Sequence, residues 1–315
     1  MKIVLTDSQT IFDDIVDASP LYELGEVEDY GLLKYDEVAE KIRDADIVLC
    51  NKTLLDENTL RLAENLKYIG LFATGYNNID LEYCRRRGIA VCNAGAYSTN
   101  AVAQHTFALI LEFFNNTSGY KKYVGDGRWK HSKTFSPFVY RLSELAGKTI
   151  GIVGLGNIGT AVAKIANAFE MNVIAYSRSP KSVDGVKTVD LDTLLRESDI
   201  VTVHCPLNAQ SENMFNKDTF AKMKSDALFV NTARGGVVVE QDLYDALKNG
   251  VIGGACLDTL RVEPMIEDCL LMEAPNCVIT PHIAWAPVET RQRLMNIVVE
   301  NIKSFLRGER VNRVD

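Results

Sequence analysis

The chain has 315 residues, long for one hydrophobic core, so two domains of ordinary size are expected. Its residues are 47% apolar and its net charge is -8 with no basic stripe, which excludes nucleic acid as a main partner, and no apolar run approaches the ~20 residues of a membrane span. The seven cysteines (Cys50, Cys84, Cys92, Cys205, Cys256, Cys269, Cys277) are odd in number, scattered and without a Cys-x-x-Cys pair, so they read as reduced thiols rather than disulfides or metal ligands.

Met1-Lys2-Ile3-Val4-Leu5 reads as a first strand, not a signal peptide, and points to a cytoplasmic protein. Further β-branched runs at 47–50, 68–72 and 89–92 alternate with helical stretches near 36–43, 56–64 and 80–87, the pattern of an α/β domain with a parallel sheet. Ligands of such sheets collect in loops past the carboxyl ends of strands. Two loops qualify: Asn51-Lys52-Thr53, and Ala73-Thr74-Gly75-Tyr76-Asn77-Asn78, whose backbone N–H groups suit a small anion. By itself either loop reads more simply as a plain turn. The small residues 93–98 lead into a long helix at about 99–115, where the first domain crossing is expected.

Ile150-Gly151-Ile152-Val153 runs into glycines at 154, 156 and 159, then a helix, then a second strand at 173–178. Gly154 permits a tight turn, Gly156 admits a pyrophosphate close to the backbone, Gly159 lets the helix approach the strand, and the helix start at Asn157-Ile158 offers free N–H groups, so the unit fits a dinucleotide. An acidic residue ending the second strand would suit the ribose hydroxyls of NAD; this chain has Ser177, followed by Arg178, Ser179 and Lys181, which favours the 2′-phosphate of NADP. Alternatively Arg178 stacks on the adenine, leaving both cofactors usable.

Later strands at 200–203, 227–231, 253–257 and 277–279 end in His204-Cys205-Pro206-Leu207, Thr232-Ala233-Arg234-Gly235-Gly236, Asp258 through Pro264, and Pro281-His282-Ile283-Ala284-Trp285, before an amphipathic helix at 288–306. Hydride transfer needs a proton donor and a group that holds the substrate's charge. His282 with Glu263 can supply the first, since a carboxylate fixes an imidazole's tautomer and favours its charged form; Arg234 can grip a carboxylate with two parallel hydrogen bonds. A structural Arg234–Glu263 ion pair, with His282 capping a loop, explains the same residues. His204 suggests a backbone contact with cofactor, whereas His105 and His131 read as structural or solvated.

These motifs, in order and over nearly the whole chain, resemble the D-isomer-specific 2-hydroxyacid dehydrogenases. Asn51-Lys52-Thr53, Ala73 through Asn77, Gly95-Ala96-Tyr97-Ser98 and Ala103-Gln104-His105-Thr106 are most similar to the glycerate dehydrogenase (hydroxypyruvate or glyoxylate reductase) branch. The resemblance implies two Rossmann-like parallel-sheet domains with a cleft between them: a flavodoxin-like substrate domain of residues 1–97 with 286–315, and an NAD(P)-binding domain of 98–285. It implies a catalytic trio of Arg234, Glu263 and His282. Asn51, Thr74, Gly75, Tyr97 and Trp285 would join Arg234 and His282 in binding substrate. Gly154, Gly156, Asn157, Ile158, Gly159, Ser177, Arg178, Ser179, His204, Cys205, Pro206, Thr232, Ala233, Asp258 and Ala284 would meet the cofactor, Asp258 through the nicotinamide carboxamide. It also implies a small 2-ketoacid or 2-hydroxyacid substrate, a homodimer through the cofactor domain, and no metal, membrane or nucleic-acid partner. A D-lactate-type or branched 2-ketoacid reductase is the alternative enzyme. A dinucleotide-sensing corepressor scaffold is the alternative of another class, though such proteins carry long disordered tails and this chain does not.

Overall fold

The computed structural model describes residues 1–178, 181–265 and 268–315. The chain divides into two units, Met1–Ser98 with Ala286–Asp315, and Thr99–Trp285.

In the first unit, β1 (Lys2–Leu5), β2 (Glu26–Asp29), β3 (Ile47–Cys50), β4 (Tyr68–Leu71) and β5 (Ala90–Cys92) form a parallel sheet of order β2-β1-β3-β4-β5. β3, β4 and β5 are buried along their whole length, which is why they read as unbroken apolar runs. Between the strands lie α1 (Ser19–Tyr22), α2 (Tyr35–Lys41), α3 (Glu57–Leu60) and α4 (Leu81–Arg87). α4 stops where Gly88 takes a left-handed conformation (φ 71°) after three arginines whose charge suits the helix end. The chain's last helix, Val288–Leu306, packs on this sheet, with the Phe305 ring 4.9 Å from that of Tyr68. The residues after it bridge Cys92 through Arg313, and the Asp315 carboxylate accepts from Val91 N at 2.8 Å.

The second unit has β6 (Thr149–Val153), β7 (Asn172–Tyr176), β8 (Lys187–Thr188), β9 (Ile200–Val203), β10 (Leu228–Asn231), β11 (Gly254–Leu257) and β12 (Cys277–Ile279), all parallel in the order β12-β11-β10-β9-β6-β7-β8. The order reverses between β6 and β9, the switch point at which doubly wound sheets bind ligands. Its helices are α5 (Thr99–Asn115), α6 (Thr117–Gly125), α7 (Asn157–Ala168), α8 (Leu191–Glu197), α9 (Lys217–Phe220) and α10 (Glu240–Lys248). Phe107, Ile110, Val162 and Ala166 of α5 and α7 belong to the core on one face of the sheet, while Leu194, Phe220 and Leu243 of α8, α9 and α10 belong to the core on the other.

The α/β parallel-sheet class expected from the sequence is the class found. Three details differ. β2 and β8 are additional edge strands, and the helical stretch expected at 56–64 ends at Leu60, beyond which Ala63 N bonds Leu60 O in a turn. The strand expected to run to Arg178 ends at Tyr176, which makes Ser177 the first residue beyond it. Among the described residues no helix is long and apolar enough to cross a membrane, and no group of three or more His, Cys, Asp or Glu is placed to hold a metal.

Candidate active site

The turn between β6 and α7 sits at the switch point. Gly154 has φ 101°, and a Cβ there would lie 2.7 Å from backbone atoms of His204 and Cys205, so glycine alone lets the β6 and β9 loops touch. A Cβ on Gly159 would come within 2.1 Å of Gly154 O, fixing how closely α7 approaches the turn. Gly156 faces open space: nothing lies within 4 Å of where its Cβ would be. It is also the N-cap of α7 and offers no side-chain cap, so the N–H groups of the first turn, Asn157 and Ile158 among them, are left for an anion. The turn therefore fits the diphosphate of a dinucleotide.

Ser177 is half-buried and Arg178 exposed, its guanidinium donating to Gln210 Oε1. Lys181 Nζ donates to Thr160 Oγ1 on α7 at 3.1 Å, a second cation on this side of the turn that could meet a phosphate. Ser179 lies outside the described residues. At the end of β9, His204 is half-buried, and this burial lowers its pKa to about 3; Nε2 sits 2.9 Å from Thr202 Oγ1. Burial likewise raises the Cys205 thiol, while Pro206 is exposed.

After β10 the chain makes a turn held by Asn231, whose Oδ1 accepts from Ala233 N (3.0 Å) and whose Nδ2 donates to Arg234 O (3.0 Å). Thr232 is buried against α5 through Thr106 Oγ1 at 3.1 Å. Arg234 is exposed and donates to Ala233 O at 2.7 Å; it makes no ion pair among the described residues, so the structural Arg234–Glu263 pair is not formed. Glu263 instead faces His282: Oε2 is 2.7 Å from Nδ1, and Oε1 accepts from Leu260 N at 3.0 Å. The pair is only partly buried, the side chains keeping 24% and 35% of their surface. The other ring nitrogen of His282, Nε2, is the one left for a substrate.

Asp258 organises the loop that carries His282. Its Oδ1 accepts from Thr280 Oγ1 (2.6 Å) and Ile283 N (2.9 Å), its Oδ2 from Ala284 N (2.9 Å), and its carbonyl from His282 N (2.8 Å). Burial alone would raise this carboxyl; the bonds from His105, Thr280 and the two N–H groups outweigh it and hold the group below the usual carboxylate range. Its side chain has no exposed surface. His105, read from sequence as structural, reaches this carboxylate from α5, with Nε2 3.0 Å from Thr280 Oγ1 and 3.5 Å from Asp258 Oδ1. His282 has φ 55°, a left-handed conformation that the loop imposes on a non-glycine residue. Trp285, half-buried, ends the unit.

In the first unit, the loop after β3 is gripped by Asp7, which the sequence reading missed. Asp7 is 1% exposed, and its carboxylate accepts from three successive backbone N–H groups, Asn51 (2.8 Å), Lys52 (2.6 Å) and Thr53 (2.9 Å). The Asn51 side chain donates to Thr10 Oγ1 at 3.0 Å. After β4, Thr74 is tied to 93–95: its hydroxyl donates to Gly95 O and its carbonyl accepts from Asn93 Nδ2 at 2.7 Å. Gly75 is half-buried, and Tyr97 is buried at 8% exposure, its carbonyl accepting from Arg293 Nη1 at 3.0 Å.

Residues 107–284 match the family model "D-isomer specific 2-hydroxyacid dehydrogenase, NAD binding domain". A hydroxypyruvate reductase of Blautia hydrogenotrophica is 40% identical over 100% of both chains. The chain belongs to the D-isomer specific 2-hydroxyacid dehydrogenases. Other members similar to it are a glycerate dehydrogenase of Methylorubrum extorquens, 36% identical over 100% of this chain and 99% of that one, and the crystal structure of an NADPH-dependent glyoxylate/hydroxypyruvate reductase from Sinorhizobium meliloti, 28% identical with a TM-score of 0.87 over 99% and 97% of the two chains. Like the rest of the family, this dehydrogenase is an oxidoreductase that exchanges hydride between a nicotinamide dinucleotide and a small 2-hydroxyacid or 2-ketoacid.

Proposed function

We propose that the enzyme reduces hydroxypyruvate or glyoxylate, giving D-glycerate or glycolate, with NADPH as the preferred cofactor. The observation that carries the reaction is the 2.7 Å contact of His282 Nδ1 with Glu263, which leaves Nε2 as the ring nitrogen for proton donation. When bound, the nicotinamide supplies the hydride. Glu263 keeps a proton on Nδ1 and stabilises the charged imidazole; His282 delivers its Nε2 proton to the carbonyl oxygen; Arg234, in no ion pair among the described residues, holds the substrate carboxylate and polarises the carbonyl.

The cofactor roles proposed are those the family resemblance implies. Asn157 and Ile158, with Gly154, Gly156 and Gly159, would hold the diphosphate, and Ser177, Arg178, Ser179 and Lys181 the 2′-phosphate. His204, Cys205, Pro206, Thr232, Ala233 and Ala284 would line the remainder. Asp258 is assigned to the nicotinamide carboxamide, although its carboxylate, already bonded to Thr280, Ile283 and Ala284, has no exposed surface here. Asn51, Thr74, Gly75, Tyr97 and Trp285 are assigned to substrate binding. A homodimer through the second unit is also proposed, supported by Phe135 and Phe138, 92% and 91% exposed, and by a groove of about 900 Å³ along α5 and α7. A cytoplasmic location is proposed with it, on the odd number of scattered cysteines.

The test is initial-rate reduction of hydroxypyruvate, glyoxylate and pyruvate, each with NADPH and NADH, with His282→Ala as control. Highest kcat/KM for hydroxypyruvate or glyoxylate with NADPH is expected, and a loss of roughly 10²–10⁴-fold in the variant with NADPH binding retained. Preference for NADH would reduce Arg178 to an adenine support; preference for another ketoacid would remove the substrate assignment; an active His282→Ala would remove the proton donor.

A further inference from the structure

Arg261 lies in the loop after β11, two residues before Glu263, and its contacts cross to other segments. Its backbone N donates to Glu240 Oε1, in the first turn of α10, at 2.6 Å. Its guanidinium Nη2 donates to Asn213 Oδ1, to Val238 O at 3.2 Å and, more weakly, to Gly236 O at 3.5 Å. Gly236 and Val238 belong to the turn that follows β10 and carries Arg234. That turn is also pinned to 213–215: Asn213 N donates to Gly236 O at 3.0 Å, and Phe215 N to Val237 O at 2.9 Å. Beside these bonds the two loops meet backbone to backbone, since a Cβ on Gly235 would lie 1.9 Å from the carbonyl carbon of Leu260. Leu260 N, in turn, holds Glu263 Oε1 at 3.0 Å.

We propose that Arg261 is a positioning residue that clamps the Arg234 turn to the Glu263 loop and so sets the spacing between the guanidinium that holds the substrate carboxylate and the imidazole that protonates its carbonyl. The reading rests on the roles given above to Arg234, Glu263 and His282. Arginine suits the task because the two hydrogens of Nη2, held in the guanidinium plane, reach acceptors on two segments, Asn213 and the backbone of 236–238. Arg234 itself needs the help: among the described residues its side chain bonds only the carbonyl of its neighbour, so its place depends on the backbone that carries it. A misplacement of about 1 Å at such a site lowers rates roughly 10²-fold.

The experiment compares Arg261→Met, Arg261→Lys and Asn213→Ala with the wild type. Read out are kcat and KM for hydroxypyruvate, or for whichever ketoacid is reduced fastest, the Kd of NADPH by fluorescence, and Tm. Arg261→Met, which keeps the stem and removes the donors, should lower kcat/KM for the ketoacid about 10- to 100-fold, mainly through KM. NADPH Kd should stay within about twofold and Tm close to the wild type. Arg261→Lys, with one ammonium for the carbonyls, should recover part of the loss, and Asn213→Ala should reproduce part of it. Wild-type kcat and KM in a folded Arg261→Met overturn the proposal. So does a loss that runs in parallel with weakened NADPH binding and a lowered Tm, which marks the contact as merely structural. Arg234→Lys, measured alongside, separates the two readings: if it is crippled while Arg261→Met is unaffected, only the clamp fails; if Arg234→Lys is as active as wild type, the site assignment fails and the clamp with it.

Discussion

His204 is a base that the fold withdraws in part from water. With a folded pKa of about 3 against an ordinary 6.5, it binds no proton in the native state across mildly acidic pH, while the unfolded chain does. The stability this neutral imidazole contributes is therefore fully present above pH 6.5 and is lost as pH falls below it towards 3. Between pH 7.5 and 5.5 the loss is at most about 1.4 kcal/mol, less because the residue keeps some surface. His204→Gln should flatten that slope: denaturant midpoints measured at the two pH values should converge relative to the wild type, and an unchanged slope would show that the imidazole is not the group responsible. At this scale the sequence is legible where a residue type carries its own constraint. Gly154, Gly156 and Gly159 announce a turn through their spacing, and His282 with Glu263 announces a proton donor through chemistry. Asp7 and Arg261 are silent, because their partners lie in distant stretches of chain, backbone groups at 51–53 for the one and Asn213, Glu240 and the backbone of 236–238 for the other. No local pattern encodes such bonds.

Among the elements, α7 depends most on one missing side chain. A methyl group on Gly159 would meet the backbone oxygen of Gly154 at 2.1 Å, and backbone cannot yield as a flexible side chain would. Gly159→Ala should cost about 1–3 kcal/mol in folding stability. Because α7 would be displaced at its N-terminus, it should also raise the NADPH Kd tenfold or more; thermal unfolding with a binding titration checks both, and unchanged values for both would count against the packing argument. The buried strands and long helices are readable for a related reason: β9 and α5 are apolar because layers cover them, and their sequences repeat with the period of the structure. β2 and β8 escape notice. The first, Glu-Val-Glu-Asp at the sheet edge, has no buried residue, and the second is two exposed residues long, too short to show any period. Their strand form comes from neighbours β1 and β7, which tertiary structure supplies.

At the scale of the whole molecule, the proposed homodimer makes a mass prediction. The chain weighs 35.0 kDa, so sedimentation should give a species of twice that mass. Phe135→Ser with Phe138→Ser, which removes the two most exposed aromatic rings, should shift the population towards the single chain; a wild type that sediments as one chain at all micromolar concentrations would end the proposal. The arrangement of the first unit has its own consequence for how the protein is made. Its sheet is covered by Val288–Leu306 and its edge strand β5 is bridged by Arg313, yet all of Thr99–Trp285 lies between these parts in the chain. At the usual 5–20 residues per second, the ribosome spends roughly 10 to 40 s on that stretch. Throughout it the first strands stand exposed and incomplete, so the second unit, continuous in sequence, is finished first, and the part of the protein begun earliest is the last to be folded.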